Sequence, residues 1–152
     1  MIAQWRRFRS LPSVDRRLVL EAAVVVSSVR IGLWSVPFVR LRQMLASRAR
    51  PAQYRDAQTP ASNVAGRVAL AISAVARNLP GSTTCLAKAL ATQTMLRRRG
   101  IVSELRIGVR NGSDERRLLD AHAWVECGEL VVMGALDDLS DYRVLAAPGR
   151  FS

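Results

Sequence analysis

Few side chains in this 152-residue chain can bind a metal or cross-link the fold. It contains one histidine, His122, and two cysteines, Cys85 and Cys127, which lie far apart in the sequence. Such a set cannot supply a closed four-ligand metal site of the usual spacing. Two cysteines allow at most one disulfide, and no secretory signal is visible, so we expect free thiols in a cytoplasmic protein. The prediction is a chain with neither a metal nor an organic cofactor.

Lysine is also nearly absent, so the net charge of +11 comes almost wholly from arginine, with Lys88 as the single lysine. Residues 1–50 carry ten arginines against Asp15 and Glu21. A basic half of this kind is typical of surfaces that meet nucleic acid, anionic membrane or an acidic protein. No Gly-aromatic strand motif or zinc-finger spacing supports nucleic-acid binding, so that partner is not favoured. A solvated arginine-rich face is the plainer alternative.

Long uninterrupted apolar runs are missing as well. The stretch 18–39 is apolar, but Glu21 and Arg30 interrupt it and Pro37 disturbs its end. Its longest unbroken run, Ala22 to Val29, is shorter than the roughly 20 residues that a bilayer requires. We therefore expect a helix that packs on the protein or on a partner, rather than one inserted in a membrane. A helix lying in the membrane interface is the alternative.

The periodicity of the chain predicts a single α+β domain over residues 1–152. A helical lead-in and connector occupy 1–60, and the core of the domain occupies 61–147. The core begins with a helix and continues with a capped helix that starts at Cys85, a small antiparallel sheet and short turns. The predicted elements are helices ending before Pro37, at Phe38–Ala49, Val64–Asn78 and Cys85–Arg99, strands at Ile101–Val109, Leu118–Glu126 and Leu130–Met133, and a turn at Asn111–Asp114.

Cys85 and His122 are the residues that point to a chemistry. Thr83 or Thr84 can cap the helix that Cys85 opens, and a helix N-terminus favours a thiolate and can bind an oxyanion through its free amides. His122 lies on an alternating strand, with Ala121 and Ala123 beside it. A thiol and an imidazole in this order are two of the three parts of a cysteine-nucleophile site. The plainer interpretation is a buried structural cysteine and a structural histidine.

The third group of such a site orients the imidazole. A turn at Cys127-Gly128 would place Met133 opposite His122, so we expect Asp137, with Asp138 as the alternative, to return a carboxylate to the ring. Asp120 and Glu126 are further candidates on the histidine strand itself. Cys127 lies at a turn and is not expected to take part.

Four separate segments of the chain, in a fixed order and spacing, form a recognisable pattern. They are STTCLAKAL (82–90), LRRRG (96–100), LRIGV (105–109) and AHAWVE (121–126). These segments resemble the B-type leader peptidases of lasso-peptide biosynthesis, within the transglutaminase-like cysteine protease superfamily. The resemblance covers roughly residues 80–145, and the segment 11–45 is similar to that family's helical lead-in. The family pattern has an aspartate soon after the third strand, where this chain has Met133-Gly134.

The resemblance implies a papain-like core with a catalytic helix packed on the sheet, and cleavage of a ribosomally made precursor at the junction of leader and core. Cys85 would be the nucleophile, His122 the general base and an aspartate the orienting group. It also implies the split form of the family, in which a separate protein recognises the leader and a separate ATP-using cyclase closes the product. The basic segment 5–50 is our candidate for docking the recognition protein or the leader, and packing on the core is its alternative role. The competing functions are a transglutaminase-like amidase that acts on another acyl substrate and a non-catalytic arginine-rich adaptor.

Overall fold

The computed structural model describes residues 13–48, 61–114 and 117–145. Within these ranges the chain forms four helices followed by four strands, which confirms the predicted α+β class. A short 3-10 turn, Leu139–Asp141, precedes the last strand. The elements are α1 (Ser13–Ser35), α2 (Phe38–Arg48), α3 (Ala61–Asn78), α4 (Cys85–Arg98), β1 (Glu104–Asp114), β2 (Arg117–Cys127), β3 (Leu130–Met133) and β4 (Arg143–Val144).

α4 is the central element of the core. It packs on α1 and α3 on one side and on the sheet, chiefly β2, on the other. Its residues from Ala89 to Leu96 are all buried, including Leu90, which is only 2% exposed. The buried amide of Gln93 donates to the Ser103 carbonyl and so fixes the chain that leads into β1. The first residue of α4 is therefore held in place by both layers of the fold.

α1 presents one buried face to α3 and α4. Ala22, Val25, Val26 and Val29 recur at helical spacing and lie in the core. Near the start of this face, Glu21 accepts from Arg99 at 2.5 Å and thereby links the helix to the end of α4. The helix also has an exposed apolar side. Trp34, near the C-terminal end of this side, is 93% exposed.

The helix break at Pro37 lies where the sequence predicts it. α1 ends at Ser35 and α2 begins at Phe38, because proline has no N–H for the helical ladder. Among the described residues, one helical stretch, Asp15–Ser35, is long and apolar enough to cross a membrane by length and hydropathy, with 22% of its window buried. That test does not distinguish a packed core helix from a spanning one.

The sheet is antiparallel, with strand order β3-β2-β1-β4. β1 and β2 form its long hairpin, in which Gly108 lies opposite His122. The predicted turn at Asn111–Asp114 is wrong, because these residues continue β1, and a register shift there accommodates the extra length. The two-residue strand β4 is too short to give a periodic signal, so the sequence does not predict it.

Candidate active site

The N-terminus of α4 places Cys85 at a helix start, as the sequence predicts. Thr84 is the cap: its backbone is extended (φ −66°, ψ 157°) and its hydroxyl accepts from the Ala87 N–H at 3.2 Å. Its carbonyl already accepts the first helical bond, from Lys88. Cys85 is thus the first helical residue, where backbone N–H groups have no partner in the helix. The half-buried thiol borders the apolar core.

His122 lies near the middle of β2 on the same face as Trp124. The two rings stack at 6.2 Å between centroids with a 15° interplanar angle. The Tyr142 ring, which follows the 3-10 turn, lies 5.7 Å from the imidazole on a tilted plane. Trp124 and Tyr142 are buried, at 4% and 6% exposure, so the half-buried imidazole lies against two buried aromatic side chains.

The Nε2 atom of His122 lies 2.8 Å from the carbonyl oxygen of Gly134. The expected pairing of Met133 with His122 is wrong, because Met133 lies opposite Val125 after a register shift in β3. β3 therefore ends before it reaches the level of the histidine. The chain leaves the strand at Gly134, and a backbone carbonyl takes the position at the ring.

The candidate aspartates are placed elsewhere. Asp138 forms an ion pair with Arg110, and Asp137 is exposed. Asp120 accepts from Arg110 at 3.1 Å and from the Tyr142 hydroxyl at 2.7 Å. Within the described ranges, no carboxylate accepts a hydrogen bond from His122. The role of Asp137 or Asp138 as orienting group stays a prediction.

Arg110 and Tyr142 form a polar cluster beside His122. No sequence motif predicts this cluster. The guanidinium lies over the Tyr142 ring, 4.6 Å from its centroid. The hydrogen bond that Arg110 donates to Asp138 raises the pKa of Arg110, and the hydrogen bond that Tyr142 donates to Asp120 raises the pKa of Tyr142, helped by burial. Both side chains therefore keep their protons at neutral pH. The cluster fixes the wall of aromatic side chains against which His122 lies.

Cys85 and His122 come from two elements that pack together, α4 and β2. Alternation along β2 places His122 on the face opposite to Ala123 and Val125, which lie in the core with α4. In the part of the chain that the structure describes, no hydrogen bond joins the thiol to the imidazole. A proton transfer between them requires the two groups within hydrogen-bond reach.

Cys127 ends β2 and borders the core, and it forms no disulfide with Cys85. Burial raises the pKa of the Cys127 thiol, which keeps it in the weakly nucleophilic protonated form at neutral pH. In the described ranges, no group of three histidine, cysteine, aspartate or glutamate side chains is placed so that it could bind a metal ion.

The raised pKa of Cys127 predicts a pH dependence of its alkylation. In a Cys85→Ala chain, where Cys127 is the remaining thiol, iodoacetamide should react with the native protein more slowly than with the same chain unfolded in guanidinium chloride. The difference should be largest at mildly alkaline pH, where the unfolded thiol ionises first, and should close as pH rises through the native pKa. Mass spectrometry of the alkylated protein measures both rates. Equal rates at every pH would contradict the prediction.

Comparison with known proteins assigns the domain. No curated protein and no solved structure matches the chain. Residues 23–147 match the domain of the transglutaminase-like superfamily, whose members are typically cysteine peptidases or transglutaminases. The match includes most of α1 and reaches past β4, so it contains both Cys85 and His122. It covers most of the chain, and the protein therefore belongs to the transglutaminase-like superfamily.

Proposed function

We propose that this protein is a cysteine endopeptidase that removes the leader from a ribosomally made lasso-peptide precursor. The observation that carries the proposal is the position of Cys85, the first residue of a capped helix at the centre of a transglutaminase-like domain. The resemblance of residues 82–90 and 121–126 to the lasso-peptide leader peptidases supplies the substrate class.

The proposed reaction is acyl transfer through the Cys85 sulfur. The thiol proton passes to His122, and the sulfur attacks the carbonyl carbon of the scissile peptide bond. The first-turn N–H groups of α4 can receive the oxyanion of the tetrahedral intermediate. Its collapse breaks the C–N bond, and the imidazolium returns the proton to the leaving amine. Water then hydrolyses the thioester and frees the leader.

This reaction needs the thiol and the imidazole within hydrogen-bond reach, and no hydrogen bond joins them among the described residues. Catalytic hydrogen bonds are often long without substrate and shorten in the complex. We therefore propose that binding of the precursor, or of the recognition protein that carries it, brings the Cys85 thiol and the His122 imidazole within hydrogen-bond reach. The separate cyclase would act on the released core peptide, and no metal or organic cofactor enters the scheme.

The direct test is cleavage of a lasso-peptide precursor by this chain, with and without a small recognition protein that binds the precursor's leader. Mass spectrometry should find the leader and core as separate products with the wild-type chain, and the intact precursor with His122→Ala. Intact precursor in the presence of the wild-type chain and every partner would refute the proposal.

The exposed end of α1 is our candidate for docking the precursor or its recognition protein. A shallow groove lies between Arg30, Ile31 and Trp34 of α1 and the Leu79-Pro80 segment. The same segment leads through the Thr84 cap to Cys85, so a peptide in this groove would lie near the nucleophile. The exposed indole, with its large apolar area, is typical of a binding anchor.

Trp34→Ala should therefore weaken docking without changing the chemical step. We expect KM for the precursor to rise about 30-fold, the effect of a hot-spot side chain worth ~2 kcal/mol, with kcat unchanged. Val102→Ala, at an equally exposed apolar side chain away from the groove, is the matched control. Steady-state kinetics would separate the two constants, and an unchanged KM for Trp34→Ala would exclude this groove.

A second candidate function is a non-catalytic adaptor, favoured by the lack of a thiol–imidazole hydrogen bond among the described residues. An adaptor would bind its partner equally well with Cys85 or His122 replaced. If the partner were nucleic acid, affinity would fall steeply with salt concentration. A transglutaminase-like amidase would instead need Cys85 but leave the lasso precursor uncut.

A further inference from the structure

The hydrogen bond between His122 and Gly134 determines which ring nitrogen carries the proton. A carbonyl oxygen can only accept, so Nε2 of His122 must donate across the 2.8 Å separation. A neutral imidazole has one donor and one acceptor nitrogen, which leaves Nδ1 with a free lone pair. A neutral ring in this tautomer can accept a proton through Nδ1.

The acidic side chains on this part of the sheet are engaged with other groups. Asp120 and Asp138 both bind Arg110, and Glu126 accepts from Arg106 and from the Trp124 indole. None of these contacts involves the imidazole. The remaining acceptor at the ring in the described ranges is the peptide carbonyl.

Gly134 can bring its carbonyl to the ring because it has no side chain. Its φ is +80°, a conformation that other residues rarely adopt. A Cβ atom there would lie 2.7 Å from the Ala123 carbonyl oxygen and 3.0 Å from the Trp124 Cβ. Any other residue would therefore push the chain away from β2 and lengthen the bond to His122. The flanking Tyr142 ring limits how far the imidazole could follow.

We propose that the backbone carbonyl of Gly134, in place of a carboxylate, orients His122 and leaves Nδ1 as the atom that accepts the Cys85 proton. The catalytic part of this assignment rests on the proposed peptidase function, whereas the tautomer does not. Gly134 is a positioning residue, since it acts through the imidazole. A neutral acceptor of this kind explains how the site dispenses with an aspartate directly after β3.

The tautomer can be measured in the free protein by nitrogen-15 NMR. Because His122 is the single histidine, nitrogen-15 histidine labelling gives one imidazole spectrum. We expect the Nε2–H tautomer in the wild-type chain and in Asp137→Asn and Asp138→Asn. Gly134→Ala should lose this preference. Gly128→Ala is the matched control, since Gly128 also has a positive φ, +61°, but open space around its added Cβ.

Each result decides the assignment. An Nδ1–H tautomer in the wild-type chain, or a tautomer change in either aspartate variant, would overturn it, even if Gly134→Ala fails to fold. In the cleavage assay, removing a carboxylate that orients a catalytic imidazole costs about 10⁴-fold in kcat. We expect less than about tenfold for either aspartate variant, the scale of an exposed ion pair. A loss near 10⁴-fold would assign the orientation of His122 to that aspartate instead. Absence of cleavage by the wild-type chain would refute the peptidase function and leave the tautomer assignment standing.

Discussion

Cys85→Ala is expected to lower kcat for leader cleavage by about 10⁴- to 10⁶-fold, the usual cost of removing a catalytic nucleophile. The reason is chemical: alanine has no group that can form the acyl intermediate, while the Thr84 cap and the burial of α4 do not depend on the sulfur. Precursor and recognition protein should bind as before. Mass spectrometry of the cleavage reaction measures the loss of kcat, and a thermal melt of the variant tests whether the fold is unchanged.

Cys127→Ala is the control for this result. Both thiols are half-buried and border the same core, so both substitutions remove one sulfur from a similar environment. Only Cys85 opens a helix, and burial keeps Cys127 protonated. Cys127→Ala should therefore cleave at nearly the wild-type rate. Normal cleavage by Cys85→Ala, or equal losses in the two variants, would remove Cys85 from the nucleophile role.

The helical part of the fold, and the positions of Cys85 at a helix start and His122 on a strand, could be predicted because their signals are local. Pro37 breaks a helix by its missing N–H, and Thr84 caps one through its side chain, whatever the rest of the chain does. The alternation around His122 likewise indicates a strand and its two faces. These features need only a few neighbouring residues, so their expected positions agree with the structure to within a few residues.

The surroundings of His122 could not be predicted in the same way, because they depend on register and on backbone atoms. The shift that pairs Met133 with Val125 ends β3 early, and no side chain marks where it occurs. Gly134 contributes its backbone carbonyl, a group that every residue has, so its identity predicts no such contact. What distinguishes it is the absence of a side chain at a position where a Cβ would clash with neighbouring atoms. Tyr142 reaches the ring from a segment with no periodicity. The sequence shows that no aspartate directly follows β3, but it does not show that the Gly134 carbonyl lies at the imidazole.

Leu90→Ala should produce the largest loss of stability. Leu90 is buried in α4, where it packs between the helices and the sheet, and alanine would leave a cavity that both layers border. Such substitutions cost about 2–5 kcal/mol, against a total of about 5–15 kcal/mol for a typical domain. In a chain of this length each kcal/mol lowers Tm by about 2–4 °C. Urea denaturation should give a lower midpoint with an unchanged slope.

Leu70→Ala is the matched control, because Leu70 is 71% exposed on α3 and leaves no cavity. Its free energy of unfolding should stay within about 0.5 kcal/mol of the wild type. Similar losses in the two variants would contradict the placement of α4 at the centre of the core.

Leu90→Ala and Cys85→Ala together separate the positioning of α4 from its chemistry. Leu90 lies on the helix that carries Cys85, but its side chain packs in the core and takes no part in the proposed reaction. Below its lowered Tm, Leu90→Ala should therefore cleave precursor in proportion to its folded fraction, whereas Cys85→Ala should be fully folded and inactive. Circular dichroism and cleavage, followed on the same samples across temperature, measure both quantities. If folded Leu90→Ala were as inactive as Cys85→Ala, packing around α4 would have to control the approach of the thiol to His122 directly.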